Sequence, residues 1–162
     1  MHLNAIAMAV FLSVASSHVA ADQMMDHSHH HAAAPEQQPW GIAGDAAAVS
    51  RSIEISMDDN MRFSPELIEV QQGETIRFVL PNKGAVQHEF VLGEKAGLDE
   101  YANMVLQGMG MQHGQTGMSH VDPGQAGEVL WTFNRAGTFD FACLIAGHYQ
   151  SGMIGKIKVN PR

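Results

Sequence analysis

The segment Cys143-Leu-Ile-Ala-Gly-His148-Tyr-Gln-Ser-Gly-Met153 carries three side chains that can bind a metal ion. Cys143 is the only cysteine in the chain, and four residues separate it from His148, as four more separate His148 from Met153. A thiolate, an imidazole and a thioether together suit copper in both of its redox states. Magnesium and calcium prefer oxygen ligands. The segment therefore predicts a copper site.

A second histidine is needed to complete such a site, and His88 is the best candidate. A mononuclear copper centre of the electron-transfer kind has one cysteine and two histidines, with a long axial bond to a methionine. His88 interrupts residues 86–92, a run whose apolar residues otherwise indicate a buried strand. We therefore predict one copper ion bound by His88, Cys143, His148 and Met153.

These residues resemble the ligands of the cupredoxin family. Its members take one histidine from an early strand, and the cysteine, second histidine and methionine from one loop before the last strand. The resemblance covers roughly residues 51 to 162, and the Cys-x4-His-x4-Met spacing is similar to that of rusticyanin. Plastocyanin has a shorter gap between cysteine and histidine, and azurin a shorter gap between histidine and methionine. The resemblance implies that Met153 is the weak axial ligand.

Other chemistries fit the same residues less well. Structural zinc normally has four strong cysteine or histidine ligands. The binuclear copper site of cytochrome oxidase needs a second cysteine, and this chain has one. A Cys–His protease needs a base and a groove that nothing in the sequence indicates. Taken singly, each residue also has an ordinary interpretation, since a lone cysteine or methionine often packs in a core.

Alternating apolar residues predict an all-β domain over residues 51–162. The alternating sets are Ile53, Ile55 and Met57; Ile68 and Val70; Ile76, Phe78 and Leu80; Val129, Trp131 and Phe133; and Phe139, Phe141 and Cys143. Turn residues separate these sets, as in Asp58-Asp-Asn60. Short antiparallel strands at this spacing are typical of a Greek-key β-sandwich or barrel. Cys143 is expected just inside one end of the sandwich, with His148 beyond it in a loop.

An insertion between Gly93 and Pro123 interrupts the strand pattern. Residues 97–106 predict a short helix with Leu98, Tyr101, Ala102 and Val105 on one face. A glycine-rich loop follows, and its soft and borderline ligands suggest accessory copper binding. The candidate accessory ligands of this loop are Met109, Met111, His113, Met118 and His120. The alternative interpretation is that the methionines only pack over the edge of the core.

The first 21 residues indicate a signal peptide. They contain an apolar stretch of suitable length and end in the small-residue motif Val19-Ala-Ala21, although they lack lysine and arginine. We therefore predict cleavage after Ala21, export to the bacterial periplasm and a mature chain without a membrane span. A lone thiol in an oxidising compartment is consistent with metal ligation.

Residues 22–50 show no hydrophobic period and predict a disordered tail before the domain. The tail carries candidate accessory copper ligands at His27, His29, His30 and His31, with Met24 and Met25 beside them. One interpretation is a copper-capturing tail. The other is a solvated polar segment that binds metals incidentally.

Charge narrows the range of partners. The chain has 9 basic and 17 acidic residues, for a formal net charge of -8. A nucleic-acid-binding protein would need a basic surface, so we exclude that class. Acidity is compatible with docking to a basic redox partner or a copper-export partner. One residue departs from the family pattern near the site, because plastocyanin and azurin have an asparagine after the first histidine where this chain has Glu89.

Two functions remain. The leader and the insertion resemble those of copper-tolerance cupredoxins of the CopI type, which join a His/Met-rich leader to a cupredoxin domain. The resemblance favours a protein that binds copper in the periplasm and contributes to copper tolerance. Whether the protein also cycles copper between its redox states is left open. The alternative is a blue-copper carrier that shuttles electrons between periplasmic partners. Neither is an enzyme, and oxidation of cuprous ion is the one catalytic activity left open.

Overall fold

A computed structural model of the chain describes residues 35–109 and 116–162. Within these stretches it contains short strands and one α-helix, with a 3-10 turn at Ala46–Ala48. The strands are β1 (Ile42–Ala43), β2 (Arg51–Glu54), β3 (Ser56–Asp58), β4 (Arg62–Ser64), β5 (Leu67–Gln71), β6 (Thr75–Pro81), β7 (His88–Gly93), β8 (Met118–Val121), β9 (Ala126–Thr132), β10 (Gly137–Ala142) and β11 (Ile154–Asn160). The helix α1 spans Lys95–Leu106.

The strands form two main sheets and a separate hairpin. One sheet has the order β1-β9-β6-β2 and the other β5-β11-β10-β7-β8, while β3 pairs with β4. Alternate residues of both sheets face a shared core, as the sequence pattern predicted. Fully buried rings at its centre include Phe63, Phe78, Phe90, Trp131 and Phe141. The predicted all-β sandwich is confirmed.

Strand direction differs from the sequence-based expectation in two places. The pairs β2–β6 and β5–β11 are parallel, whereas the remaining pairs are antiparallel. Between β2 and β6 the chain passes through the hairpin and the opposite sheet, so it can return in the same direction. Alternation of apolar residues reports which face of a strand is buried and carries no information about strand direction.

The segment before residue 51 also differs from the expectation of a tail that extends to Ser50. Strand β1 pairs with β9, and the indole N–H of the buried Trp131 donates to Trp40 O at 2.9 Å. Gly41 has a φ of 131°, and a β-carbon there would overlap the carbonyl of Thr132. A two-residue strand is too short to leave a hydrophobic period in the sequence. Residues 22–34 and their histidines lie outside the described residues.

Helix α1 covers the outer face of the second sheet. It begins two residues before the predicted start and ends at the predicted residue, Leu106. Leu98 and Ala102 are buried and pack with Val91, Ala142 and Leu144, the outward-facing residues of β7 and of the β10 end. Of the helices in the described stretches, none is both long and apolar enough to cross a bilayer.

The second half of the insertion was predicted to be a loop, and its last part is instead a strand. Strand β8 pairs with β7 along the edge of the sheet, so that His120 lies opposite Glu89 and Met118 opposite Val91. Residues 110–115, which include Met111 and His113, lie outside the described residues.

Candidate metal centre

The predicted copper ligands lie on two neighbouring strands and the loop that follows one of them. His88 is the first residue of β7, and Cys143 directly follows β10. Because β7 and β10 pair antiparallel, with Val91 opposite Ala142, the start of β7 lies beside the end of β10. The loop between β10 and β11 then carries His148 and Met153.

Three of these side chains converge. The nearest ligand atoms of His88, Cys143 and His148 all lie within 4.8 Å of one another. No other cluster of three or more His, Cys, Asp or Glu side chains in the described part of the chain could hold a metal ion in this way. The Cys143 sulfur is 3.3 Å from His148 Nδ1. The two imidazole rings have centroids 5.0 Å apart.

Met153 lies at the same end of the core. It is fully buried in the cluster that also contains Cys143. Its backbone N–H donates to His148 O, and its carbonyl accepts from Cys143 N–H, both at 3.1 Å. The two backbone hydrogen bonds of Met153 thus join the end of the loop to Cys143 at its start and to His148 in its middle.

Burial differs among the four side chains. His88, Cys143 and Met153 are fully buried, whereas His148 is half-buried. The site is therefore enclosed by the sandwich on most sides, and the imidazole of His148 is the part of it that reaches towards solvent.

The electrostatics of these buried side chains favour a bound cation. Neither ring nitrogen of the buried His88 has a hydrogen-bond partner among the described residues, and its nearest charged neighbour, Asp59 Oδ1, lies 3.5 Å from Nε2. Burying unpaired polar atoms is costly unless another ligand satisfies them. Burial also lowers the pKa of His148, which keeps its imidazole neutral and able to bind a metal at neutral pH. A thiol, two imidazoles and a thioether are the donor set that fits copper.

Burial raises the pKa of the Cys143 thiol to about 12. Two backbone N–H groups act in the opposite direction, those of Glu89 and Ile145. The Glu89 N–H donates to the Cys143 sulfur across 3.3 Å. Hydrogen bonds to sulfur favour the thiolate form, which is the form that binds metal.

The side chain of Glu89 points away from this pocket. Successive residues of a strand face opposite sides, so His88 faces the core and Glu89 the outer side. There its Oε1 lies 2.8 Å from His120 Nδ1 on β8, and the carboxylate is almost fully buried. This pairing was not predicted, since a strand at 118–121 was not predicted.

The turn between β3 and β4 contacts both segments that carry the predicted ligands. Asp59 accepts hydrogen bonds from the backbone N–H groups of Ala85 and Val86, just before His88. Arg62 Nη1 donates to Ser151 O in the ligand loop at 2.7 Å. The sequence marked Asp58-Asp-Asn60 only as a turn, and no local pattern indicates which distant segment a turn will contact.

The ligand loop is also tied to helix α1. The Tyr149 hydroxyl donates to Asp99 Oδ1 at 2.5 Å, and Lys95 Nζ pairs with the same carboxylate. Hydrogen bonds from Lys95 and then Tyr149 lower the pKa of Asp99. The insertion therefore packs against the site rather than extending away from it.

The accessory ligands predicted in the insertion are only partly described. Met109 is exposed just beyond α1, and Met118 packs against the small apolar cluster under that helix. His120 shares its face of β8 with Met118 and pairs with Glu89. The other predicted accessory ligands, His27, His29, His30, His31, Met111 and His113, lie outside the described residues.

Comparison with known proteins identifies the class. Residues 49–160 match the family described as copper binding proteins, plastocyanin/azurin family. The chain belongs to this family of cupredoxins. Its fold is also that of the reduced auracyanin from Roseiflexus castenholzii, with a TM-score of 0.60 over 70% of this chain and 99% of that one, at 24% identity.

Among its relatives are proteins named copper-resistant cuproprotein CopI. The relative from Rubrivivax gelatinosus is 45% identical over 142 residues, which is 86% of each chain. The relative from Pseudomonas aeruginosa is 40% identical over 153 residues, covering 76% of this chain and 84% of its own. The resemblance to CopI-type cupredoxins and the expectation of copper are thereby confirmed.

Proposed function

We propose that this chain is a periplasmic protein of copper tolerance that binds one copper ion through His88, Cys143, His148 and Met153. The observation that carries the proposal is the convergence of three ligand atoms within 4.8 Å, at a site where neither ring nitrogen of His88 accepts or donates a hydrogen bond among the described residues. The proposal of a role in copper tolerance is supported by the relatives, because they are named copper-resistant.

The ligand roles follow from donor type and position. Cys143 supplies the thiolate, and His88 and His148 supply neutral imidazoles beside it. Met153, which is fully buried in the same core, would supply a weak thioether ligand. Bound copper would supply a one-electron change between Cu(I) and Cu(II), and the buried side chains would hold either ion largely away from water.

Sequestration accounts for tolerance without any further reactant. A buried, nearly complete ligand set removes a copper ion from solution and holds it away from other thiols. The alternative to sequestration is oxidation of bound Cu(I) to Cu(II). This oxidation would release one electron, which a periplasmic redox partner must accept. Such an electron would leave through His148, whose side chain is half-buried. The partial exposure of His148 also suits the second candidate function, which is electron transfer between two partners.

The accessory ligands extend the proposal. We propose that His27, His29, His30 and His31 capture copper for the domain, since neighbouring imidazoles raise the local ligand concentration. The methionines and histidines of the insertion, Met109, Met111, His113, Met118 and His120, are proposed to bind further Cu(I), which thioethers prefer.

Growth of a deletion strain tests the proposal. A strain lacking the gene should grow normally at trace copper and fail as copper rises, and the wild-type gene should restore growth. Cys143→Ser should not restore it, while a gene lacking residues 22–34 should restore it in part. If the strain instead loses respiration or photosynthesis at ordinary copper and tolerates excess copper, the electron-carrier function is correct.

A further inference from the structure

The turn between β3 and β4, taken together with the flanking strand residues Asp58 and Arg62 (residues 58–62), lies against both segments that carry the proposed copper ligands. We propose that two of its side chains are positioning residues of the copper centre: Asp59 orients His88, and Arg62 holds the loop that carries His148 and Met153. The proposal rests on the ligand set proposed above.

Asp59 is the charged group nearest to His88. Its Oδ1 lies 3.5 Å from His88 Nε2, and no described residue makes a hydrogen bond to that ring. With Nε2 directed at Asp59, the other ring nitrogen, Nδ1, is left for the metal. A metal-bound histidine generally donates its second N–H to a carboxylate or carbonyl, which fixes the ring and strengthens the ligand. Asp59 occupies the position of such a carboxylate.

The backbone before His88 is shaped around this carboxylate. Ala85 N–H donates to both oxygens of Asp59, at 3.0 and 2.8 Å, and Val86 N–H donates to Oδ1 at 3.3 Å. A β-carbon at Gly84 would overlap Asp59 Oδ1, so the close approach requires glycine there. These contacts fix the carboxylate relative to the start of β7, which is where His88 lies.

Arg62 acts on the opposite side of the site. Its Nη1 donates to Met61 O and to Ser151 O, each at 2.7 Å. Ser151 lies between His148 and Met153, and Gly152 packs against the same guanidinium with a φ of 93°. Met61, which precedes Arg62, has a φ of 58°, an unfavourable conformation for a residue other than glycine. The turn therefore adopts a strained backbone at the point where it contacts the loop.

The side chain of the residue after His88 does not join the two ligand-bearing segments. Here Glu89 faces the other side of the sheet and pairs with His120. The β3–β4 turn joins the segments from outside, through Asp59 on one and Arg62 on the other.

The test compares the full-length variants Asp59→Asn and Arg62→Gln with two matched controls. Asp58→Asn changes a carboxylate of the same turn whose contact is Asn60 N–H at 3.0 Å, and Glu66→Gln removes the ion-pair partner of Arg62. Copper stoichiometry, Cu(II) affinity, electron paramagnetic resonance and reduction potential are measured for each. Asparagine retains an oxygen for Ala85 and Val86 but loses the charge that faces His88.

Asp59→Asn should still bind one copper, with Cu(II) affinity lowered about tenfold. If Cu(I) affinity is unchanged, this raises the potential by about 59 mV. Arg62→Gln should also keep one copper and change the resonance spectrum, while both controls should match the wild type.

The proposal would be overturned if Asp59→Asn and Arg62→Gln both kept the spectrum, copper affinity and reduction potential of the wild type. It would also be overturned if Asp58→Asn changed these quantities as much as Asp59→Asn does. These results leave the ligand set intact. A wild-type chain that shows no thiolate-to-copper absorption would instead overturn the ligand set, and this proposal with it.

Discussion

The backbone N–H of Glu89 donates to the sulfur of Cys143 across 3.3 Å, while the Glu89 side chain pairs with His120 on the far side of the strand. One strand thus carries one proposed ligand, His88, and donates a hydrogen bond to another, Cys143, beside the neighbouring strand. Because the amide is part of a paired strand, its position is set by the sheet and does not depend on the side chain at residue 89. The strand directs the Glu89 carboxylate outward, so it does not enter the site.

Replacement of Met153 by leucine should retain one copper and the visible absorption. The axial thioether is the weakest of the four donors, and Leu for Met nearly conserves volume. An apolar group in its place disfavours the higher charge of Cu(II), so the potential should rise in voltammetry. Met57→Leu, at another fully buried methionine, is the control for repacking. Complete loss of copper in Met153→Leu alone would contradict the axial role.

Copper binding should release a proton from Cys143. Burial raises the pKa of this thiol to about 12, so it is protonated at neutral pH before copper binds. Because the thiolate is the ligand, apparent affinity should increase as pH rises towards that pKa. His148 should contribute no proton at pH 7, since burial lowers its pKa.

Calorimetry at pH 7 in buffers of different ionisation enthalpy measures this release. About one proton per copper is expected for the wild type, and less for Cys143→Ser. An unchanged proton count in that variant would show that the thiol is not the source.

Residues 35–50 should stabilise the domain. Their contacts include the β1–β9 pairing and the hydrogen bond from Trp131 to Trp40, and a few such bonds contribute about 2 kcal/mol. A chain beginning at residue 50 should therefore melt roughly 5 to 10 °C below one beginning at residue 35. Thermal unfolding by circular dichroism measures the difference. Equal melting temperatures would show that the segment is not part of the stable fold.

The insertion should bind copper beyond the first equivalent. In a chain beginning at residue 35, Cu(I) titration should exceed one equivalent, and joint replacement of Met109, Met111 and Met118 by leucine should remove the excess. Met104→Leu is the matched control, because Met104 is an exposed methionine at the end of α1 outside the proposed ligands. A single equivalent in the unmodified chain would reduce these methionines to packing residues.

The fold was largely predictable from sequence because burial leaves a local pattern. Alternation at Ile76, Phe78 and Leu80 reports a strand with one face in the core, and the structure buries all three. Strand β1 was not predictable, because two residues are too few to show a period. The direction of β2 relative to β6 was not predictable either, since it depends on the path of the intervening chain.

The convergence of the candidate ligands was predictable for a different reason. Cys143, His148 and Met153 lie in one loop, so their spacing is visible in the sequence, and His88 was found because a polar residue is unusual in an apolar strand. The surrounding contacts of Asp59 and Arg62 were missed. They join residues far apart in the chain, and a surface turn has the same composition whether or not it contacts a ligand.

The visible spectrum of the copper-loaded protein tests the central claim most directly. If His88, Cys143 and His148 bind one copper ion, adding Cu(II) to the purified chain should produce an intense thiolate-to-Cu(II) absorption that saturates at one equivalent and is absent in Cys143→Ser. Asp58→Asn, outside the ligand set, should keep the absorption. A Cys143→Ser variant that retains the same absorption would contradict the claim.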